Sequence, residues 1–260
     1  MRTLRICFKA FKAALQTKLE YRVDMALGMA AAIGFQLATL SMVGVLMNKQ
    51  QTLGGWDSNG LLLLFGLTAL THGTAELFCN HLWYVPYYVV RGQLDRLMVL
   101  PVPTLPYFMV TMPEMHSVGN LAAGSVMVGL ALHRLGGAGP ALALLPLWVL
   151  CGTVVYGGLL TVCAGISFWV MGSQNYHFMV TVSLLRGASY PHSVFPRVVQ
   201  AILAWVLPFA VVSFIPGQAL TGRLPLVAGV GLPLVLAAAT GLGGWLAWES
   251  GLRRYESTGS

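Results

Sequence analysis

The stretch PYYVVRGQLDRLMVLPVPTLP, residues 86–106, is the longest polar interruption in the first half of an otherwise almost entirely apolar chain. Its charged residues stand in the middle, with Pro86 before them and three further prolines after them, beginning at Pro101. Proline fixes φ and removes a backbone donor, so the spacing predicts a helix from about residue 89 to residue 100.

The side chains of this segment divide into two faces on such a helix. The apolar ones recur at i, i+3, i+4 and i+7: Leu94, Leu97, Met98 and Pro101. The polar ones point elsewhere: Gln93, Asp95 and Arg96. This pattern predicts a short amphipathic helix that lies along a bilayer surface and offers its polar groups to a partner. An ordinary interfacial loop is the alternative that periodicity alone leaves open.

The composition identifies the kind of protein to which this segment belongs. The chain has 260 residues, of which 57% are hydrophobic and 9% are charged, and its mean hydropathy is +0.73. A soluble domain carries about 25% charged residues, so the sequence predicts an all-α, polytopic membrane protein. The four cysteines show no CxxC spacing, and we interpret them as packing residues rather than as disulfides or metal ligands.

The N-terminal region, residues 1–24, has the pattern of a basic amphipathic helix. Its apolar residues recur at helical spacing: Leu4, Phe8, Phe11, Leu15 and Leu19. Its first cations form a second stripe: Arg2, Arg5, Lys9 and Lys12. The apolar run is too short for a signal peptide, so we expect a helix in the cytoplasmic interface that faces anionic membrane lipids.

Six apolar segments follow, each near the roughly 20 residues that a ~30 Å hydrocarbon core requires. They are residues 25–47, 59–83, 107–132, 141–170, 198–216 and 225–248. Residues 25–248 are therefore predicted to form the transmembrane domain and residues 249–260 a cytoplasmic tail. The mixed region 171–197 is predicted to be a helix near the cytoplasm followed by a turn. The loop 217–224 has a sequence that allows it to dip into the membrane.

The distribution of positive charge predicts the orientation. Twelve of the fifteen Lys and Arg residues fall in four regions: 1–24, 86–106, 171–197 and the tail. Cytoplasmic loops carry the excess of Lys and Arg, so these regions and both termini are predicted to be cytoplasmic. An even number of spans follows, which agrees with six. The net charge of +7 is thus a topology signal rather than evidence for nucleic-acid binding.

Few residues in the chain point to chemistry. No GxxxxGK[ST], HExxH, GxSxG or paired Cys–His spacing occurs, so the chain has no phosphate-binding loop for ATP. His72, Glu76 and His81 fall on the second predicted span, and Glu114 and His116 on the third. An intramembrane carboxylate is costly, which makes it a candidate for function. His72, Glu76 and Glu114 are therefore candidate translocation or gating residues, although His72 and Glu76 at i, i+4 can also satisfy each other. A metal site built from these three is the less favoured alternative.

The run GQLDRLMVLPV, residues 92–102, resembles the cytoplasmic-loop signature of ABC-2-type permeases, in the branch with a Gly-Glu-Leu-Asp-Arg-like run before a proline. Three further stretches resemble the same branch in the same order. They are GGW at residues 54–56, the run from Tyr190 to Leu220 that begins YPHSVFPR, and the tail GLRRYESTGS at residues 251–260.

This resemblance implies a six-span exporter permease in a bacterial inner membrane, with both termini cytoplasmic. Two permease chains, identical or related, would each dock on a separate ABC ATPase subunit, two copies per complex, and ATP and Mg would be bound there and not on this chain. The docking residues would be Arg91, Gly92, Gln93, Leu94, Asp95, Arg96, Leu97 and Pro101. The sequence departs from the usual pattern at Gln93, where Glu is common, and at Leu100, where Arg often precedes the proline.

Two other classes of function remain open from the residues alone. An ion-coupled secondary transporter would show inverted internal repeats with interrupted helices, which the two halves of this chain lack. A membrane-embedded lipid-modifying enzyme would need a polar catalytic cluster, for which His72, Glu76 and His81 are the candidates. The transported substrate is not encoded in any motif, because an apolar pathway suits drugs, lipids, peptides and glycans alike.

Overall fold

The structure is a computed structural model, and it describes residues 2–49, 52–137, 139–170 and 190–255. Within these ranges the chain is helical and forms no strand. The α-helices are α1 Arg2–Glu20, α2 Arg22–Lys49, α3 Ser58–Cys79, α4 Val85–Val90, α5 Asp95–Met98, α6 Thr104–Val110, α7 Ser117–Arg134, α8 Leu145–Ile166, α9 Arg197–Ala201, α10 Phe214–Leu220 and α11 Leu226–Leu252.

Helix α3 is the central element of the bundle, and most of its residues are buried. It begins where the side chain of Asp57 accepts a hydrogen bond from the Gly60 amide at 3.0 Å, which satisfies one of the free donors of the first turn. At its other end it continues through a 3₁₀ turn, Asn80–Tyr84, into α4. The bundle therefore has a Trp56 end, where α3 begins, and an Asp95 end, toward which α3 and α4 lead.

Helices α3 and α7 pack in antiparallel contact through glycines. A Cβ on Gly124 would lie 2.8 Å from the Leu70 amide nitrogen, and one on Gly66 would lie 2.9 Å from the Val128 nitrogen. Without these side chains the two backbones approach closely, which is how helices associate when no hydrophobic effect drives them together in lipid.

Replacing Gly124 by Leu is expected to separate α3 from α7 and to destabilise the protein by about 1–3 kcal/mol or more, because the added side chain has no space. The midpoint of thermal unfolding in detergent measures this effect. Unfolding is monitored as the loss of the monodisperse peak. Gly129→Leu on the same helix is the matched control, since a Cβ there meets no atom within 4 Å. Equal midpoints for the two variants would contradict the close packing.

The last helix, α11, packs along α8 in the same way. Cβ atoms on Gly158 and Gly244 would fall 2.6 Å from the Thr240 oxygen and 2.7 Å from the Gly158 oxygen, respectively. At the first turn of α11 the Trp148 indole donates a hydrogen bond to the Gly229 carbonyl at 2.7 Å. Residues later in α8 contact residues later in α11, so the two helices are parallel. Both lead to the Asp95 end.

The described residues contain four helices long and apolar enough to cross a membrane, or up to five if one bent pair is counted as a span. The four are residues 22–41, 58–90, 139–166 and 226–252, which correspond to predicted spans one, two, four and six. The third predicted span, 107–132, is interrupted. Its helix breaks at residues 111–116, which contain Pro113, and α7 then carries Asn120, His133 and Arg134.

The fifth predicted span, 198–216, does not form a straight helix. The arms Arg197–Val206 and Phe209–Leu220 meet at Pro208 at an angle of 79°. Both outer ends of this pair lie at the Trp56 end, because Ser193 donates a hydrogen bond to the Gly54 carbonyl and Arg223 donates one to the Gly55 carbonyl. The bent pair therefore enters the bundle and returns to the same end.

This placement also corrects the prediction for the region 171–197. Residues 190–194 do not lie near residues 86–106. They pack at the opposite end, where Tyr190 makes an edge contact with Phe65 and His192 stacks on Phe214. The helix predicted within residues 171–189 lies outside the described residues. Since α8 leads to the Asp95 end, Val170 and Tyr190 lie at opposite ends of the bundle.

The single helix predicted over residues 89–100 is wrong. Helix α4 ends at Val90, a turn follows, and α5 covers only Asp95–Met98. The reason is Gly92, whose φ of +65° is a left-handed conformation that ends a helix and that glycine adopts without steric cost.

Candidate functional site

Leu94 is the most deeply buried anchor of the 86–106 segment in the bundle. Leu94 is fully buried in a cluster with Phe108, Phe209 and Trp248, and Leu97 packs against the same cluster. The Gly92 turn brings Leu94 inward. Two of the four residues predicted to form the apolar face of one helix therefore contact the bundle, although the helix itself is broken.

The opposite side of this segment is open to the surroundings. Arg91, Arg96 and Pro101 are exposed, Met98 is 45% exposed and Val99 is 81% exposed. The Arg91 guanidinium lies 4.0 Å from the centre of the Tyr87 ring, a cation–π contact that holds it on α4. An exposed surface that combines apolar side chains with cations is typical of a protein interface.

Behind the segment, His81 forms a rigid base. Its ring stacks on Phe108 with 3.8 Å between centroids, and its Nδ1 lies 2.7 Å from both the Phe108 carbonyl and the Thr111 hydroxyl. Its Nε2 lies 3.3 Å from the Tyr88 hydroxyl. These contacts connect the end of α3 to α4 and α6, so the 86–106 segment and the ends of α3 and α6 are expected to move as a unit. These contacts give His81 a structural role in holding the helix ends together.

The C-terminal end of the described chain contacts the same segment. The buried Tyr255 hydroxyl lies beside the Asp95 carboxylate, and burial together with this carboxylate raises the pKa of Tyr255 to about 12. The ring of Tyr255 makes an edge contact with Phe168, which in turn packs on Trp248. Asp95 is thus held on one side by the tail while its segment faces outward.

A second candidate site is a polar network centred on Glu76 of α3, near the Asp95 end. His72 lies 3.6 Å from Glu76 Oε1, and His116 Nε2 lies 3.0 Å from the same oxygen. Asn120 donates a hydrogen bond to Glu76 Oε2 at 2.8 Å, and Gln36 donates one to the Asn120 side chain at 3.0 Å. The network therefore joins α2, α3, α7 and the turn before α7.

Glu114 extends this network to the N-terminal helix. His116 Nδ1 lies 3.4 Å from Glu114 Oε2, and Lys18 Nζ of α1 lies 3.7 Å from the same oxygen. Glu114 and His116 lie in the 111–116 turn, outside the long apolar helices. Hydrogen bonds to Glu114 and Glu76 raise the pKa of His116 to about 10, and His116, followed by Lys18, holds the pKa of Glu114 below its usual value. We therefore treat His116 as an imidazolium shared by two carboxylates.

The three predicted candidates His72, Glu76 and Glu114 are thus brought into one network, but His116 is the residue that connects the two carboxylates. Within the described part of the chain, no group of three or more His, Cys, Asp or Glu side chains has the geometry of a metal site. The sequence reasoning missed Gln36, Asn120 and Lys18. Gln36 and Asn120 are single amides inside apolar runs. Polar residues are rare at such positions, and this rarity is the sequence signal that could have identified them.

The two sites have different chemical capacities. The 86–106 segment presents an outward surface of exposed apolar and basic side chains, which suits it to binding a macromolecule. The Glu76 network includes contacts between separate elements, from His116 and Asn120 to Glu76 and from Lys18 to Glu114, and these are lost if the elements separate. The network is therefore suited to stabilising one arrangement of the helices over another.

Comparison with known proteins gives one result. The family model described as ABC-2 family transporter protein matches residues 33–259, which is most of the chain. The match includes the 86–106 segment, the Glu76 network apart from Lys18, and Tyr255. No curated protein and no solved structure matches the chain.

Proposed function

The chain belongs to the ABC-2 family of transporter proteins and is a multi-pass membrane permease, and from this premise we propose that it is the membrane subunit of an ATP-driven exporter. The energy would come from ATP and Mg bound by a separate ABC ATPase, two copies per complex. That ATPase would dock on the 86–106 segment. A second permease chain, identical or related, would complete the pathway.

The observation that carries this proposal is the division of the 86–106 segment into a buried anchor and an exposed face. Leu94 is fully buried, whereas Val99, five residues later, is 81% exposed. A force applied to the exposed face is passed to α3 and α6 through Leu94 and the contacts of His81. Rigid-body movement of an attached ATPase can then be converted into movement of the bundle.

For the topology we propose six crossings with the Asp95 end in the cytoplasm of a bacterial cell. Among the described residues, α2, α3, α7, α8 and α11 each lead from one end of the bundle to the other, and Tyr190 lies at the opposite end from Val170. Most Lys and Arg residues still fall at the Asp95 end, in residues 1–24, in residues 86–106 and in the tail, which supports the orientation. Helix α1 would then lie in the cytoplasmic interface, where its exposed Leu4 and Phe8 meet lipid.

We further propose that the Glu76 network is a gating contact. It closes the Asp95 end of the bundle by joining α2 and α1 to α3 and α7, and ATP binding would favour one arrangement only if contacts such as these differ between the two. Direct contact of His72, Glu76 or Glu114 with substrate is not needed for this role.

Co-purification tests the docking proposal. The full chain carries an affinity tag and is expressed with a candidate stand-alone Walker-motif ATPase, and the purified complex is weighed by native mass spectrometry. The expected result is a complex of two ATPase chains with two permease chains whose ATP hydrolysis depends on both. A purified chain that drives transport with no ATPase bound would contradict the proposal.

Tyr255→Phe tests whether the tail holds Asp95 in place for docking. The ring remains to pack on Phe168, so the unfolding midpoint is expected to stay unchanged, whereas affinity for the ATPase falls by about two- to fivefold, because the Asp95 carboxylate loses the hydroxyl beside it. Binding of the purified ATPase to the chain in nanodiscs measures this change. Tyr84→Phe, a partly exposed tyrosine outside the segment, serves as the control. An unchanged affinity for Tyr255→Phe would assign Tyr255 to packing alone.

A further inference from the structure

We propose that the junction of α1, α2 and the 111–116 turn is a binding site for a phospholipid headgroup of the phosphoethanolamine type. A cavity of about 220 Å³ opens there, lined by Lys18, Asp24, Met25, Gly28, Glu114, Met115 and His116. This site is separate from the docking surface and does not depend on the proposed ATPase partner.

The cavity forms because two helices meet next to a turn. Helix α1 ends at Glu20 and α2 begins at Arg22, so the chain bends between them. The turn at Glu114–His116 approaches this bend, and Gly28 allows the approach, since a Cβ there would lie 3.2 Å from the Cβ of His116.

The cavity carries two cations and two carboxylates. Lys18 and His116 are cations, and Asp24 and Glu114 are carboxylates. His116 is held by Glu76 and Glu114 through both ring nitrogens. Lys18 is 3.7 Å from Glu114, and its ammonium has three donors, so it retains donors for another acceptor. No hydrogen bond or ion pair to Asp24 is found among the described residues.

A zwitterionic headgroup matches this arrangement. Its phosphate would accept hydrogen bonds from Lys18, and its primary ammonium would donate to Asp24, both as charge-assisted bonds. A phosphatidylglycerol headgroup offers no cation to Asp24, and its negative charge would face two carboxylates. A choline headgroup has no N–H donor, so it cannot form the hydrogen bond to Asp24.

The lipid tails have a place to lie beside the cavity. Helix α2 leaves the cavity with a long apolar run, and no residue of that run from Arg22 to Ser41 is buried by the rest of the protein. Leu27 is 66% exposed and Phe35 is 61% exposed on this helix. A headgroup in the cavity therefore places the acyl chains along the α2 surface, which makes a membrane lipid a better occupant than a soluble phosphate compound.

Lipid retention tests this site on the purified full-length chain alone. The chain is equilibrated with detergent micelles that contain equal amounts of dioleoyl phosphatidylethanolamine, phosphatidylglycerol and phosphatidylcholine, and bound lipid is counted by native mass spectrometry. The expected result is one phosphatidylethanolamine bound at least about fivefold more often than either competitor. Equal retention of the three lipids would overturn the proposal.

Matched variants assign the effect to the cavity. Asp24→Asn is expected to reduce the preference for phosphatidylethanolamine to below about twofold, since the ammonium loses its charge-assisted bond. Lys18→Gln is expected to lower retention of all three lipids, since they share the phosphate that Lys18 binds. Glu20→Gln and Lys12→Gln change charge in the same way at exposed positions of α1 and are expected to keep the full preference and retention. A preference that survives Asp24→Asn, a retention that Lys18→Gln leaves unchanged, or the same losses in the controls would overturn the site. Because no ATPase is present, failure here leaves the proposed function untouched.

Discussion

Asp95→Arg is expected to abolish ATP-driven transport and to remove the bound ATPase, while the chain still inserts into the membrane. The substitution places a third cation beside Arg91 and Arg96 on the exposed segment and takes away the carboxylate that faces Tyr255. Charge reversal at an interface costs several kcal/mol when like charges are brought together, so affinity should fall by at least about 100-fold. Binding of the purified ATPase to the chain in nanodiscs measures the loss.

Two further variants separate docking from folding. Glu20→Arg makes the same change of charge at an exposed position on α1, outside the segment, and is expected to bind the ATPase like the native chain. Asp95→Asn keeps the size and removes only the charge, so an intermediate loss of roughly tenfold is expected. Native affinity in the Asp95→Arg variant would remove the docking role from the 86–106 segment.

Glu76→Gln is expected to weaken the proposed gating contact at the Asp95 end of the bundle. The amide can still pair with Asn120 but carries no charge for His116 or His72, so the ion pair between α3 and the turn before α7 is lost. The bundle should then spend more time open, and ATP hydrolysis by the complex without added substrate should rise severalfold.

A double-mutant cycle identifies the contact responsible. If Glu76 acts through His116, the combination of Glu76→Gln with His116→Gln changes hydrolysis by much less than the sum of the single effects. Ser125→Ala on α7 is the control, since that hydroxyl bonds only to the Leu121 carbonyl of its own helix. Hydrolysis that stays at the native rate in Glu76→Gln would return this residue to a purely structural role.

The parts of the fold that the sequence predicts well are those that depend on local composition. The predicted spans at 25–47, 59–83, 141–170 and 225–248 correspond to long apolar helices, because hydropathy over about 20 residues is a property of each segment alone. The i, i+4 pair of His72 and Glu76 also follows from helix geometry.

The parts that could not be predicted depend on single backbone positions or on distant contacts. Gly92 breaks the helix expected over residues 89–100, and its left-handed φ is not visible in apolar periodicity. Pro208 turns the expected fifth span back on itself, although its composition alone resembles a span. His116 connects Glu76 to Glu114 only because α3 and α7 pack through Gly66 and Gly124, a contact between residues far apart in sequence.

Site-specific photo-crosslinking tests the central claim most directly. A photoreactive amino acid is placed at Val99, which is 81% exposed on the 86–106 segment, and as a control at Val227, which is 87% exposed at the start of α11 at the other end of the bundle. In membranes that contain the complex, irradiation is expected to join the ATPase to the chain from Val99 and not from Val227. Crosslinks from Val227, or none from Val99 while the complex is active, would contradict the account.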